Sequence, residues 1–98
     1  MRDPQILESV KATLALLVEK NPGRAIEVRI PPYAAVQCGD GPTHTRGTPP
    51  NVIEMNAETW LALASGERSW ADAMSAGLIS ASGVRADLTE LLPLEVKL

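Results

Sequence analysis

The sequence predicts an α+β fold, a mostly antiparallel sheet flanked by helices in the order α-β-β-β-α-α-β-α. Three observations carry this. A 3.6-residue apolar pattern over the first twenty residues gives way to a two-residue alternation at Ile26, Val28 and Ile30. Strand-like stretches then follow one another without helices between them, unlike the strict alternation of a doubly wound sheet. Two short, separately capped helical stretches and one late strand complete the pattern. At 98 residues the whole chain, 1–98, is expected to form one domain.

The elements follow in order. Asp3 can cap free amides and Pro4 suits the first turn, so a helix begins there. Ile6, Leu7, Val10, Leu14, Leu17 and Val18 form its apolar stripe, while Glu8, Lys11, Glu19 and Lys20 lie largely off it. Asn21-Pro22-Gly23 ends it. Ala25 to Ile30 reads as a half-buried strand, and after Pro31-Pro32 the stretch Tyr33 to Cys38 reads as a second strand, antiparallel to the first and opening a meander. Asn51 to Met55 is a short third strand. Asn56 caps a helix over Ala57 to Ala64, with Gly66 just past its end. Ser69 and Asp72 have capping-box spacing for a second helix, Trp70 to Ala76, closed by Gly77. Leu78 to Ser82 returns to strand, and a last helix over Leu88 to Leu92 stops at Pro93.

Eight of the twenty residues from 31 to 50 are Pro or Gly, and 39–50 has neither period, so this stretch is expected to be an ordered loop. Within it His44 and Arg46 are candidates for a loop scaffold, hydrogen-bonding loop carbonyls, or for contact with an anion.

Composition excludes several functions. A net charge of −3 with scattered basic residues offers no cationic field for nucleic acid, and without Phe stacking platforms are nearly absent. No uninterrupted apolar run suggests a signal peptide or membrane insertion, and the single cysteine, Cys38, has no disulfide partner, which together point to a cytoplasmic protein. Cys38 reads as a packing residue at a strand end rather than a nucleophile paired with His44. One His and one Cys are a meagre supply for a metal, the loop glycines fit no nucleotide fingerprint, and the carboxylates fall near helix ends. No catalytic residue, metal site or cofactor is therefore expected, and the chain reads as non-enzymatic.

What remains is an apolar set in the second half. Met55, Trp60, Leu63, Trp70, Met74, Leu78, Leu88, Leu91 and Leu92 could all be core, or could line a groove between helices and sheet. The stretches Trp60-Leu-Ala-Leu-Ala-Ser-Gly66 and Ala73-Met-Ser-Ala-Gly-Leu-Ile-Ser-Ala-Ser-Gly83 resemble the sterol carrier protein family. Upstream, Val28 to Gly39 and His44 to Val52 are similar to a shorter bacterial branch of it, found chiefly in actinobacteria. The resemblance implies a sterol-carrier-like sandwich without catalytic residues and with an apolar tunnel, to which Trp60, Leu63, Trp70, Met74 and Leu78 carry over by motif and Leu88, Leu91 and Leu92 by position. It also implies an apolar small-molecule ligand, fatty acyl or sterol-like, for a carrier or sensor. One strand's worth of sequence before the third strand is replaced here by the Pro-Gly loop. In so short a chain the pocket is expected to be shallow or collapsed, or completed by a second chain in a homodimer. The alternatives are a protein-interaction module presenting the 39–50 loop to a protein partner, and an accessory domain resembling the C-terminal domain of mycothiol-dependent isomerases.

Overall fold

The computed structural model describes residues 3–41 and 51–94. Its elements are α1 (Pro4–Lys20), β1 (Ile26–Ile30), β2 (Ala34–Cys38), β3 (Asn51–Glu54), α2 (Ala57–Ser65), α3 (Trp70–Ser75), β4 (Ser80–Ser82) and a 3-10 turn (Thr89–Leu91). The α+β class and the element order match expectation.

The helix starts are set by local chemistry. Asp3 Oδ1 accepts from the backbone N–H groups of Gln5 and Ile6 at 2.8 and 3.3 Å. Asn56 Oδ1 accepts from Thr59 N–H at 2.8 Å, and Ser69 Oγ from Asp72 N–H at 3.0 Å. Each cap satisfies an amide that has no partner within its helix. α2 ends at Gly66, whose φ of 88° lies in the left-handed region that favours glycine.

The sheet runs β2-β1-β3-β4. β1 and β2 are antiparallel, with Val28 opposite Val36, as expected. β3 does not continue a meander: it pairs with β1, in parallel, setting Ile53 beside Val28. The reason is topological. β2 returns the chain to the end of the sheet where β1 began, so Cys38 and Asn51 both lie opposite Ile26. A parallel pair then needs no helical crossover, because β2 is itself the return path. β3 and β4 are antiparallel, with Ile53 opposite Ala81.

Alternation sorts the two faces. Ile26, Val28, Ile30 and Ile53 are buried and join Val10, Leu14 and Leu17 of α1 and Trp60 and Leu63 of α2 in one core. The same strands turn Glu27, Arg29 and Glu54 to the other face, where Arg29 Nε donates to Glu27 Oε2 at 2.6 Å. Two expected elements are shorter than the sequence suggests. The late strand is limited to Ser80–Ser82, the residues that find partners along β3. The expected helix over Leu88 to Leu92 is only a 3-10 turn: Leu91 N–H reaches back to Leu88 C=O, and Pro93 has no N–H with which to continue.

Candidate ligand cleft

The nine apolar residues singled out from sequence divide between core and surface. Trp60, Leu63, Leu88, Met55 and Trp70 are buried in the core. Trp60 is fully enclosed, and its Nε1 donates to Thr13 Oγ1 on α1 at 2.8 Å. Leu91 and Leu92 are half-buried, while Met74 and Leu78 are exposed. The fold brings Leu63, Trp70 and Leu92 together around a cleft of about 280 Å³ beside Gly66 and Pro93. Met55 and Leu78 share another of about 350 Å³ near the start of β4. His44 and Arg46 lie outside the described residues.

Cys38 is fully enclosed in the core, and burial pushes its thiol up to about 11. At neutral pH it is therefore a protonated packing group, since only the thiolate is nucleophilic.

The largest of these openings, about 970 Å³, lies where the end of α1 meets the C-terminal segment. One wall is Lys20, Asn21, Pro22 and Ile26, and the other runs from Arg85 to Leu91. Backbone bonds build the first wall: Gly39 N–H donates to Asn21 C=O at 2.8 Å, and Ala25 N–H to Gly39 C=O at 3.2 Å. The approach is so close at Gly23, where φ is 143°, that a Cβ there would run into the Gly39 carbonyl.

Asn51 fixes the second wall to the first. Only 2% exposed, it donates through Nδ2 to Ala25 C=O and accepts through Oδ1 from Arg85 N–H, both at 2.8 Å. In the sequence Asn51 stands at the head of β3 with no role of its own. The available sign was a polar residue with low strand propensity opening a buried strand.

The cleft is amphipathic. Pro22, Ile26 and Leu91 supply apolar surface, and Lys20, Arg85, Asp40, Asp87 and Glu90 supply charge. Asp87 is held below the usual carboxylate range by hydrogen bonds from the Thr89 hydroxyl and the Thr89 backbone N–H, so it is an anion at neutral pH. Among the described residues no three His, Cys, Asp or Glu side chains are grouped so as to hold a metal ion. A second cleft of about 920 Å³ lies between α1 and α2, lined by Ile6, Leu61 and Leu78 with Glu58, Glu67 and Arg68. No helix among the described residues is long and apolar enough to cross a membrane.

Among the described residues, helices pack against a small mixed sheet, and apolar and charged groups share the surface clefts. The chain belongs to the bacterial SCP ortholog family, whose profile matches residues 2–94. This bears out the sterol-carrier resemblance of the stretches around Trp60 and Met74 at the level of the family. A comparison with curated proteins finds no match.

Proposed function

We propose that this chain is a non-catalytic carrier or sensor of an apolar ligand with a polar end, fatty acyl or sterol-like in kind, held in the cleft between Ile26 and Leu91. The observation that carries the reading is the cleft itself. Its volume of about 970 Å³ falls at the upper end of the range of ordinary ligand pockets, and it combines Pro22, Ile26 and Leu91 with a charged rim. Membership of the bacterial SCP ortholog family supports an apolar ligand. Binding would use apolar contact for affinity and the rim for orientation, and no bond would be made or broken.

Thermal denaturation with a panel of fatty acids and sterols tests this, because a ligand that binds only the folded state raises the melting temperature. A concentration-dependent rise that is lost in Leu91→Glu and kept in Leu61→Glu is expected. No rise with any member of the panel would overturn the carrier reading. A rise lost in Leu61→Glu instead would move the ligand to the cleft between α1 and α2.

A further inference from the structure

We propose that β4 is a self-association edge, at which a second copy of this chain pairs antiparallel to it about a two-fold axis at Ala81. β4 is the last strand of the sheet, and among the described residues no strand lies beside the edge it turns away from β3. Exposed sheet edges are normally blunted by short strands, Lys, Pro or a bulge, and of these β4 has only its shortness, three residues. Here Met74 to Val84 contains no charged residue and no proline, and every residue of it except Ile79 is exposed. The exposed large hydrophobic side chains of the described residues, Met74, Leu78 and Val84, all fall within this one stretch, at 42%, 37% and 99% exposure.

Charge and symmetry point to a second copy as the occupant. The chain carries a net charge of −3, so two copies repel one another overall, and an uncharged stretch adds no like-charge contact to that repulsion. A strongly charged partner would find nothing complementary here. A two-fold interface places the same patch on both sides and must be self-complementary. Around Ala81 the sequence is nearly so. An antiparallel pairing centred there sets Ser80 opposite Ser82 of the second copy, and it carries Leu78 toward the end of the strand where Val84 of the second copy lies. The sheets of the two copies would join into one across the axis.

The area bounds the strength. A stable interface takes about 20–30 residues a side, and the stretch from Met74 to Val84 supplies eleven. The dimer is therefore weak and fills with concentration. The proposal does not involve the ligand cleft, and either can fail without the other.

Sedimentation over a wide dilution series, together with cysteine cross-linking, tests it. The wild-type mass should rise with concentration from 10.4 kDa toward twice that value, and Ser82→Lys combined with Val84→Lys should hold it at the monomer value. Val84 is almost wholly exposed, so its replacement leaves the core intact. Opposed Cα atoms in an antiparallel pair lie about 4.5–5.5 Å apart, within disulfide reach. Mild oxidation of Ala81→Cys should therefore give a covalent dimer in high yield, with Ser80→Cys giving less, because residue 80 faces residue 82. The buried Cys38 does not compete. A wild type that stays at 10.4 kDa throughout, a dimer indifferent to the two lysines, or a dimer in which Ala81→Cys fails to cross-link would each overturn the proposal.

Discussion

Asn51 Oδ1 accepts the backbone N–H of Arg85 at 2.8 Å, across thirty-four positions of sequence, from a side chain only 2% exposed. With the bond from Asn51 Nδ2 to Ala25 C=O, this makes one buried amide the bracket between the head of β1 and the C-terminal wall of the cleft. Asn51→Ala leaves both partners without their bond; the buried Ala25 carbonyl then costs about 1–3 kcal/mol, and the part-buried Arg85 N–H less. Denaturant unfolding should show a loss of about 2–4 kcal/mol.

Asn51→Asp separates the two bonds. A carboxylate can still accept from Arg85 N–H, but it faces the Ala25 carbonyl oxygen and cannot donate to it. Only the protonated acid restores the donor, so folding raises the pKa of this group. Its contribution is then full below the unfolded-state value and lost as pH rises through the folded-state value. The variant should recover stability relative to wild type as the solution is acidified from neutral pH. A stability difference that does not change with pH would contradict this role for the amide.

Cys38 offers a second dependence on pH, of the same sign. Burial lifts its thiol from 9.0 to about 11. Below about 9 the folded and unfolded chains both hold the proton. Between about 9 and 11 the unfolded chain releases it first, and stability falls. Cys38→Ala should weaken that alkaline fall, read from unfolding curves, and native Cys38 should react slowly with a thiol reagent at neutral pH.

Trp60 is fully enclosed, and its indole N–H is satisfied by Thr13 Oγ1. Thr13→Val keeps the side-chain shape and removes the acceptor. A loss of about 1–3 kcal/mol is expected on unfolding, with a shift in Trp60 emission. Thr13→Ser, which retains the hydroxyl, should leave the emission near that of wild type.

The close approach of Gly23 to Gly39 admits no Cβ, and its φ of 143° is strained for any other residue. Gly23→Ala should destabilise by about 1–3 kcal/mol or more and disturb the wall formed by Asn21 and Ile26. Calorimetry measures the first effect, and ligand uptake the second.

Much of the fold was legible because it is decided locally. Asp3, Asn56 and Ser69 cap helices within three residues of themselves, and the alternation of Ile26, Val28 and Ile30 is visible within one strand. The place of β3 was not, since pairing with β1 in preference to β2 is a choice between distant strands that no local pattern encodes. The helix read from Leu88 to Leu92 has suitable residues, yet Pro93 leaves it a single turn. The apolar residues of the candidate site stand out in the sequence, but which of them face a cleft depends on contacts between distant segments. Leu91 lines the cleft of about 970 Å³ together with Ile26 and Arg85, Leu63 lines the smaller one beside Gly66 as well as packing in the core, and Trp60 lies wholly in the core.

The proposed role stands most directly on equilibrium titration of the purified protein with a naturally fluorescent polyene fatty acid. The measurement is made on wild type and on Leu91→Glu, with the fold of each verified by circular dichroism. Saturable uptake of one ligand per chain by wild type, reduced at least tenfold in affinity in Leu91→Glu, is the result expected of a carrier that uses this cleft. A folded wild-type protein that leaves the probe emission unchanged at every concentration would contradict it.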